Sequence, residues 1–278
     1  VSDGGAQPEA HDTERPVATD ADRPLCMLAV PHNGYIVPEA LGTLAAASAR
    51  VHVDVLQVGS SLLCHNFNKA WCDALNHDPR PDYFAMCHSD ISAPANWIDV
   101  MLDELEATGA DFCSAVVPIK DFRGLTSTAL MDAGNGTLRR LVAHELRSVN
   151  EAGERLLPDT FTGADLAKLF GMPPDANVAL CVNSGLWVCK FGAWAEGICF
   201  ETGDRITRDP DPTHPRGERF IARVFSEDWL FSSSLVAKGI KVIATQKIPV
   251  LHFGRAPFGA GGPNHRPWGM AHDEWIEL

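Results

Sequence analysis

The chain has 278 residues, 45% of them apolar and 21% charged, and a formal net charge of −13. That length and apolar fraction suffice for a sizeable core, and no apolar run approaches the roughly 18 residues of a membrane span. The acidic balance argues against broad tracking of a nucleic-acid backbone, which needs clustered Lys and Arg. A local exception lies between Asp204 and Arg223, where five arginines face four acids.

Residues 1–23 are rich in Asp, Glu, Pro, Ala and Thr and are expected to be disordered. No basic stretch leads into an apolar core there, so no signal peptide is expected. Leu25 to Val30 reads as a first strand, and the Ala- and Leu-rich stretch from Pro38 to Arg50 as a helix. Val51 to Val58 alternates as a second strand ending at Gly59-Ser60-Ser61, and Phe67 to Asn76 is helical in character. Tyr83 to Cys87 is a third, buried strand. Trp97 to Thr108 places Ile98, Met101, Leu102 and Leu105 on one helical face. Phe112 to Val117 is a further buried strand. The alternation predicts an α/β protein with a parallel sheet covered by helices.

Beyond residue 120 the pattern changes. Ser127 to Met131 and Thr137 to Val142, around Asp132-Ala133-Gly134-Asn135-Gly136, read as a β-hairpin. Val178 to Val182 and Leu186 to Lys190 read as a strand broken at Asn183-Ser184-Gly185. Residues 201–219 hold Gly, Pro, Asp and Arg and read as a long loop. Asp228 to Lys238 is a helix, Lys241 to Ala244 a strand, and Ile248 to His252 an apolar run ending at His. The glycine-rich tail, residues 256–278, is expected to form a flexible flap, leaving 24–255 as the folded domain. The eight cysteines lie mostly in apolar runs without CxxC spacing. They read as reduced core residues, and a cytoplasmic location is expected.

The most informative stretch is Tyr83 to Ile91, an apolar strand that stops at His88-Ser89-Asp90. Polar ligands at a strand's C-terminal tip lie where open α/β sheets bind ligands. His88 and Asp90 share one side of an extended chain and are candidates for holding a divalent cation. Three other features accompany them: Pro31-His32-Asn33 after the first strand, Asn183-Ser184-Gly185, and Ser226-Glu227-Asp228-Trp229 at a helix start, with His252 closing a later strand.

In this order and spacing the chain resembles the GT-A fold glycosyltransferases, from about residue 25 to 255. It is most similar to the small members whose Asp-x-Asp segment reads apolar strand, Asp-Ser-Asp-Ile, Pro. Phe67-Asn68-Lys69-Ala70 is similar to that group's Arg-Asn-x-Ala helix, and Glu227-Asp228 … Lys238-Gly239-Ile240-Lys241 … His252 to its ending. His88 stands where the family has its first Asp. The resemblance implies a mixed, mostly parallel, Rossmann-like GT-A sheet flanked by helices, with the hairpin on the acceptor side, and a nucleotide-diphosphate sugar donor of UDP or GDP type. It implies that Asp90 and His252 hold Mn²⁺ or Mg²⁺, with His88 as a third ligand or a ribose contact. Pro31, His32, Asn33, Asn68 and Ser89 would then line the donor pocket, and residues 183–185 would approach the sugar or acceptor. Asp228 is the implied general base, with Glu227 second.

Other roles stay open for these residues. Glu227 and Asp228 also suit the first turn of a helix capped by Ser226. Trp187 and Trp229 read first as core rather than as sugar platforms. His144, Glu145 and Arg147 read as a solvated face before an acceptor wall. A catalytically inactive nucleotide-sugar-binding protein is one alternative. An enzyme glycosylating a nucleic-acid base, with arginines 205, 208, 216, 219 and 223 on phosphates, is another; a saccharide or small molecule remains an equal candidate for the acceptor. A nucleotidyltransferase lacks its glycine-rich basic loop at Pro31-His32-Asn33-Gly34-Tyr35.

Overall fold

The computed structural model describes residues 23–45, 48–120, 123–132 and 138–254, and the backbone of 257–259. The N-terminal segment 1–22, most of the tail with His265, His272 and Asp273, and the hairpin turn 133–137 lie outside the described residues.

The chain opens with β1 (Leu25–His32), a short 3₁₀ turn (Pro38–Ala40), α1 (Leu41–Leu44) and β2 (His52–Gly59). It continues through α2 (Leu63–Asn76), β3 (Tyr83–Cys87), β4 (Ile91–Ser92), α3 (Trp97–Thr108) and β5 (Phe112–Ala115). The second half holds β6 (Leu125–Asp132), β7 (Leu138–Val142), β8 (Thr160–Phe161), α4 (Gly163–Leu169), β9 (Val178–Cys181) and β10 (Leu186–Lys190). It closes with β11 (Gly203–Pro210), β12 (Glu218–Phe225), α5 (Glu227–Ala237), β13 (Val242–Thr245), β14 (Leu251–Phe253) and β15 (Pro257–Gly259).

Seven strands form a central mixed sheet in the order β2-β1-β3-β10-β5-β13-β8. Five run in one direction; β10 and β8 run against them. The protein is therefore of the α/β class, with three further antiparallel sheets: β11-β12, β15-β14-β4 and β7-β6-β9. From β1 the chain steps to β2 on one side, then crosses to β3 on the other. Their carboxyl ends diverge at that reversal, the place where open sheets leave a crevice.

Alternation along β1 divides the core. Met27 and Ala29 enter one apolar cluster, while Cys26, Leu28 and Val30 enter the other on the opposite face. The second cluster is covered by α3, whose Trp97, Ile98, Met101, Leu102 and Leu105 are buried on one stripe. Gly109 ends that helix at φ +63°, a left-handed cap that glycine accepts without strain. The first cluster centres on Trp71 of α2, whose ring meets Phe84, Trp187, Phe191, Trp194, Phe200 and Phe231. Its indole N–H donates to the Ala195 carbonyl at 3.0 Å, satisfying its polar atom inside the core.

Three expectations are corrected. The stretch from Pro38 to Arg50 holds a helix only to Leu44, and the chain at Ser48 to Arg50 is not helical. The Ser48 hydroxyl instead accepts the Arg50 and Val51 N–H groups, a local competition that serine often wins against helix. Residues 201–219 are not a loop, because β11 and β12 pair as an antiparallel ribbon from Gly203↔Phe225 to Pro210↔Glu218. Ile206 is 77% exposed on it. A ribbon with solvent on both faces has no buried side to impose an apolar period. Glu145 is buried rather than solvated, accepting the Val142 N–H at 2.8 Å and pairing with Arg139 at 2.8 Å.

The five cysteines at 26, 87, 113, 181 and 189 are buried and free, as core thiols should be. Burial pushes the Cys26 thiol up to about 12. No helix among the described residues is long and apolar enough to cross a membrane. Replacing the hub residue, Trp71→Ala, should lower stability by about 3–5 kcal/mol, the usual cost of emptying a core aromatic site. Urea unfolding of the two proteins measures it, and a loss under 1 kcal/mol would contradict the hub role.

Candidate active site

At the divergence of β1 and β3 lies a cavity of about 500 Å³. It is lined by Pro31, His32 and Asn33 from β1, by Ser60, Ser61, Leu63 and Asn66, and by His88, Ser89 and Asp90 from the β3 exit. Residues 117–120 and Ser127 come from the other side, and 183–185, Glu227, Asp228 and His252 complete the wall. Every residue expected at the site except Asn68 reaches this cavity.

Asn68 points elsewhere, and its expected donor contact is corrected. Its amide brackets Phe200, donating to the carbonyl and accepting the N–H, each at 2.7 Å. Two positions along a helix turn by about 200°, so Asn66 rather than Asn68 faces the site. The Asn66 amide nitrogen donates to the carbonyls of His32 and Ser60, both at 3.1 Å. That fixes the amide orientation and leaves its oxygen buried without a partner.

Backbone pairing delivers His252. Strand β14 pairs with β4 in the register His252↔Ile91, and the Phe253 N–H donates to the Asp90 carbonyl at 2.8 Å. The His252 Nδ1 lies 2.8 Å from the Pro118 carbonyl oxygen. A carbonyl only accepts, so Nδ1 carries the proton and Nε2 is left to face Asp90, 3.4 Å from Oδ1. The other Asp90 oxygen, Oδ2, takes the Lys120 ammonium. Burial works against the Asp90 charge, yet the protonated form of the His252 ring, which donates from Nε2 as well, and the Lys120 ammonium hold this carboxyl well below the usual carboxylate range. Lys120 had no signal in the sequence, because its place depends on the segment after β5 pairing with β6.

His88 is set back from that pair. Its ring stacks on Phe67, centroids 5.2 Å apart, and Nε2 is buried without a partner. Burial pushes its pKa down to about 4 against the pull of Asp90, so the ring is neutral at pH 7. Among the described residues no three His, Cys, Asp or Glu side chains converge as a ligand set. Among the described residues His88 lines the cavity but stands apart from Asp90 and His252, which are paired with each other.

The two-residue set still fits a cation. Its ligand atoms, 3.4 Å apart, are close to the roughly 3 Å edge of an octahedron with 2.1 Å bonds. A carbonyl behind the distal imidazole nitrogen is the usual support of a ligating histidine. Diphosphate oxygens and water would have to supply the remaining positions, as they commonly do for Mg²⁺.

On the β10 side the turn 183–185 is stapled by Asn183. Its amide nitrogen donates to Ser114 Oγ at 2.8 Å and to the Ala115 carbonyl, and its oxygen accepts the Gly185 and Leu186 N–H groups at 2.8 and 2.9 Å. Asn183 thus shapes the wall with its side chain committed to the turn. Trp187 is fully buried and follows the core reading, whereas Trp229 is half-buried beneath the Arg140 guanidinium, 4.9 Å from its ring centroid, and does not line the cavity.

The acids at the start of α5 do not cap their own helix, nor does the Ser226 side chain. Asp228 Oδ1 instead accepts the Ser184 N–H at 2.6 Å, and the Ser184 hydroxyl lies 3.4 Å from Glu227 Oε1. Burial first, then the adjacent Glu227 charge, pushes the Asp228 carboxyl up to about 7. A carboxyl near neutrality suits proton transfer at physiological pH.

The arginine spot is largely engaged within its own ribbon. Arg223 pairs with Asp209, Arg208 with Glu218 and Arg219 with Asp211, the last two at 3.5 Å. Arg216 lies over the Phe220 ring and Arg205 over Phe225. None of the five lines the cavity.

No family model matches the chain, and no curated protein matches its sequence. Among solved structures it is similar to A197 from STIV, at 13% identity and a TM-score of 0.43. That likeness covers 82% of this chain and 85% of the other. Function has therefore to be argued from the site.

The raised Asp228 carboxyl has a definite consequence for stability. The folded state holds its proton up to about pH 7, whereas an unfolded Asp releases it near 3.8. Its contribution is present below the unfolded value and is lost as pH rises through the folded one. Unfolding titrations from pH 5 to 8 should show the wild type losing stability relative to Asp228→Asn as pH rises. A difference independent of pH would refute the raised value.

Proposed function

We propose that the protein is a GT-A-type glycosyltransferase that moves a sugar from a nucleotide-diphosphate donor, of UDP or GDP type, to an acceptor hydroxyl. The observation that carries this reading is one cavity holding two chemistries: an Asp90–His252 pair suited to a cation and an Asp228 carboxyl raised to about 7. Its volume, about 500 Å³, is in the range of small-molecule sites. The order of motifs along the chain adds the family resemblance.

In this reading Pro31, His32 and Asn33 hold the base and ribose. The Gly34 N–H donates to His32 Nδ1 at 3.1 Å, which leaves Nε2 as the ring's donor. His88 stands in the pocket wall as a neutral ring at the position of the family's first Asp. Asp90 and His252 hold Mn²⁺ or Mg²⁺, which supplies charge stabilisation to the departing diphosphate. The acceptor oxygen forms its bond to the anomeric carbon as the bond from that carbon to the diphosphate breaks. The acceptor's proton passes to Asp228, and the electron pair of the broken bond leaves with the diphosphate. A single displacement of this kind inverts the anomeric carbon.

A second reading is a nucleotide-sugar-binding protein without turnover, favoured by the sealed Nε2 of His88 where the family carries a carboxylate. Titration calorimetry with UDP, GDP and their common sugars, with and without Mn²⁺, tests the site. Metal-dependent binding of one nucleotide is expected, and its loss in Asp90→Ala and His252→Ala. Slow hydrolysis of the matching donor separates the two readings, and Asp228→Asn should reduce it by about 100-fold or more. Binding without any hydrolysis selects the second reading; a folded protein that binds no nucleotide removes both.

A further inference from the structure

Lys120 is a cation already seated beside the proposed metal position, on the other oxygen of Asp90, and this inference rests on the glycosyltransferase reading. Its ammonium engages Asp90 Oδ2 while His252 Nε2 approaches Oδ1. The main chain beneath it is fixed: the Ile119 N–H donates to the Leu125 carbonyl at 3.0 Å, and the Ser127 N–H to that of Val117 at 2.9 Å. The side chain is the part free to move. Lys120 is 37% exposed and Asp90 28%, so the pair sits on the cavity wall rather than sealed behind it. An exposed ion pair of this kind is worth little and opens readily.

A divalent cation on Asp90 Oδ1 and the Lys120 ammonium on Oδ2 repel each other at that range and draw on the same carboxylate charge. We propose that Lys120 is a counter-ion guarding Asp90, displaced when cation and donor arrive together, whose ammonium then moves onto a free oxygen of the diphosphate. The diphosphate brings the charge that rehouses the lysine, so nucleotide and metal bind cooperatively. Metal without nucleotide has to displace the ammonium into solvent, with no anion supplied in exchange. Lys120 is thus a positioning residue in the empty site and a phosphate contact in the filled one.

The test compares the wild type with Lys120→Met and Lys120→Arg. Free Mn²⁺ is followed by its electron paramagnetic resonance signal, and binding of UDP or GDP by calorimetry. Removing the charge should tighten Mn²⁺ binding without nucleotide by about tenfold, and weaken nucleotide binding at saturating Mn²⁺ by about the same factor. Lys120→Arg should stay within about threefold of the wild type on both measures, since it keeps the charge. If Lys120→Met does not fold, Lys120→Gln carries the same comparison. A lysine that merely braces Asp90 predicts the reverse sign for Mn²⁺, so unchanged or weaker Mn²⁺ binding overturns the proposal. Unchanged nucleotide binding overturns it too, while leaving the glycosyltransferase reading intact. Failure of the wild type to bind any nucleoside diphosphate overturns both.

Discussion

Gly185 has no room for a side chain. A Cβ there would lie 2.6 Å from Ile91 Cδ1, with His88 Nδ1 only 3.6 Å away. Contacts below 3 Å force something to move, and both neighbours belong to the β3 exit that carries Asp90. The His88 N–H donates to the Gly185 carbonyl at 2.8 Å, which locks the two turns main chain to main chain. Because β10 runs against β3, the chain turns at 183–185 directly opposite the tip where β3 ends. Everything at the site is referred to that junction. Ile91 pairs with His252 on one side, and Ser184 reaches Asp228 on the other. A side chain at position 185 would thus press first on the Ile91 methyl within the protein itself.

The same junction separates two electrostatic regimes. On the β4 side Asp90 keeps its charge, with Lys120 and His252 as immediate partners. On the α5 side Asp228 has a single N–H and a like-charged neighbour, and its charge is disfavoured. Two aspartates in one cavity are pushed in opposite directions by their surroundings. Divergence of that kind between neighbouring acids is what separates an electrostatic role from a proton-transfer role. The acidic balance of the whole chain plays no part in this; the partners within hydrogen-bond reach decide it.

The sheet was legible wherever burial imposes a period. Helix α3 spans Trp97–Thr108 as its apolar stripe predicts, and β1, β2 and β3 begin within a residue of their apolar runs. The β11-β12 ribbon was illegible for the converse reason, since neither face is covered and its charges pair across strands. The site was legible as a set of strand-tip motifs because strand ends are marked by abrupt polar residues. What the sequence could not reveal is which member of a local pair faces inward. Asn66 and Asn68 differ by a rotation on a helix whose packing was not yet known. His88 looks equivalent to Asp90 on an extended chain, but the chain turns at Ser89 and the ring falls back onto Phe67. Lys120 follows an apolar run and carries no motif; only the pairing of 117–119 with β6 brings it to Asp90.

The ribbon's position gives its charge network a further meaning. Phe225, the last residue of β12, precedes Ser226 and the acids of α5 by a single step. A two-stranded ribbon in water is marginal alone, yet this one sets the entry of the helix that holds Asp228. At its base Gly203 lies close to Leu230 of α5 and to its cross-strand partner Phe225. Farther along, Ser232 accepts the Val182 N–H at 3.0 Å and donates to the Asp228 carbonyl at 2.6 Å. Helix α5 is thereby tied to the strand that runs into 183–185. The Ser184 N–H and the Asp228 carboxyl that accepts it are thus carried on two elements joined a second time through Ser232.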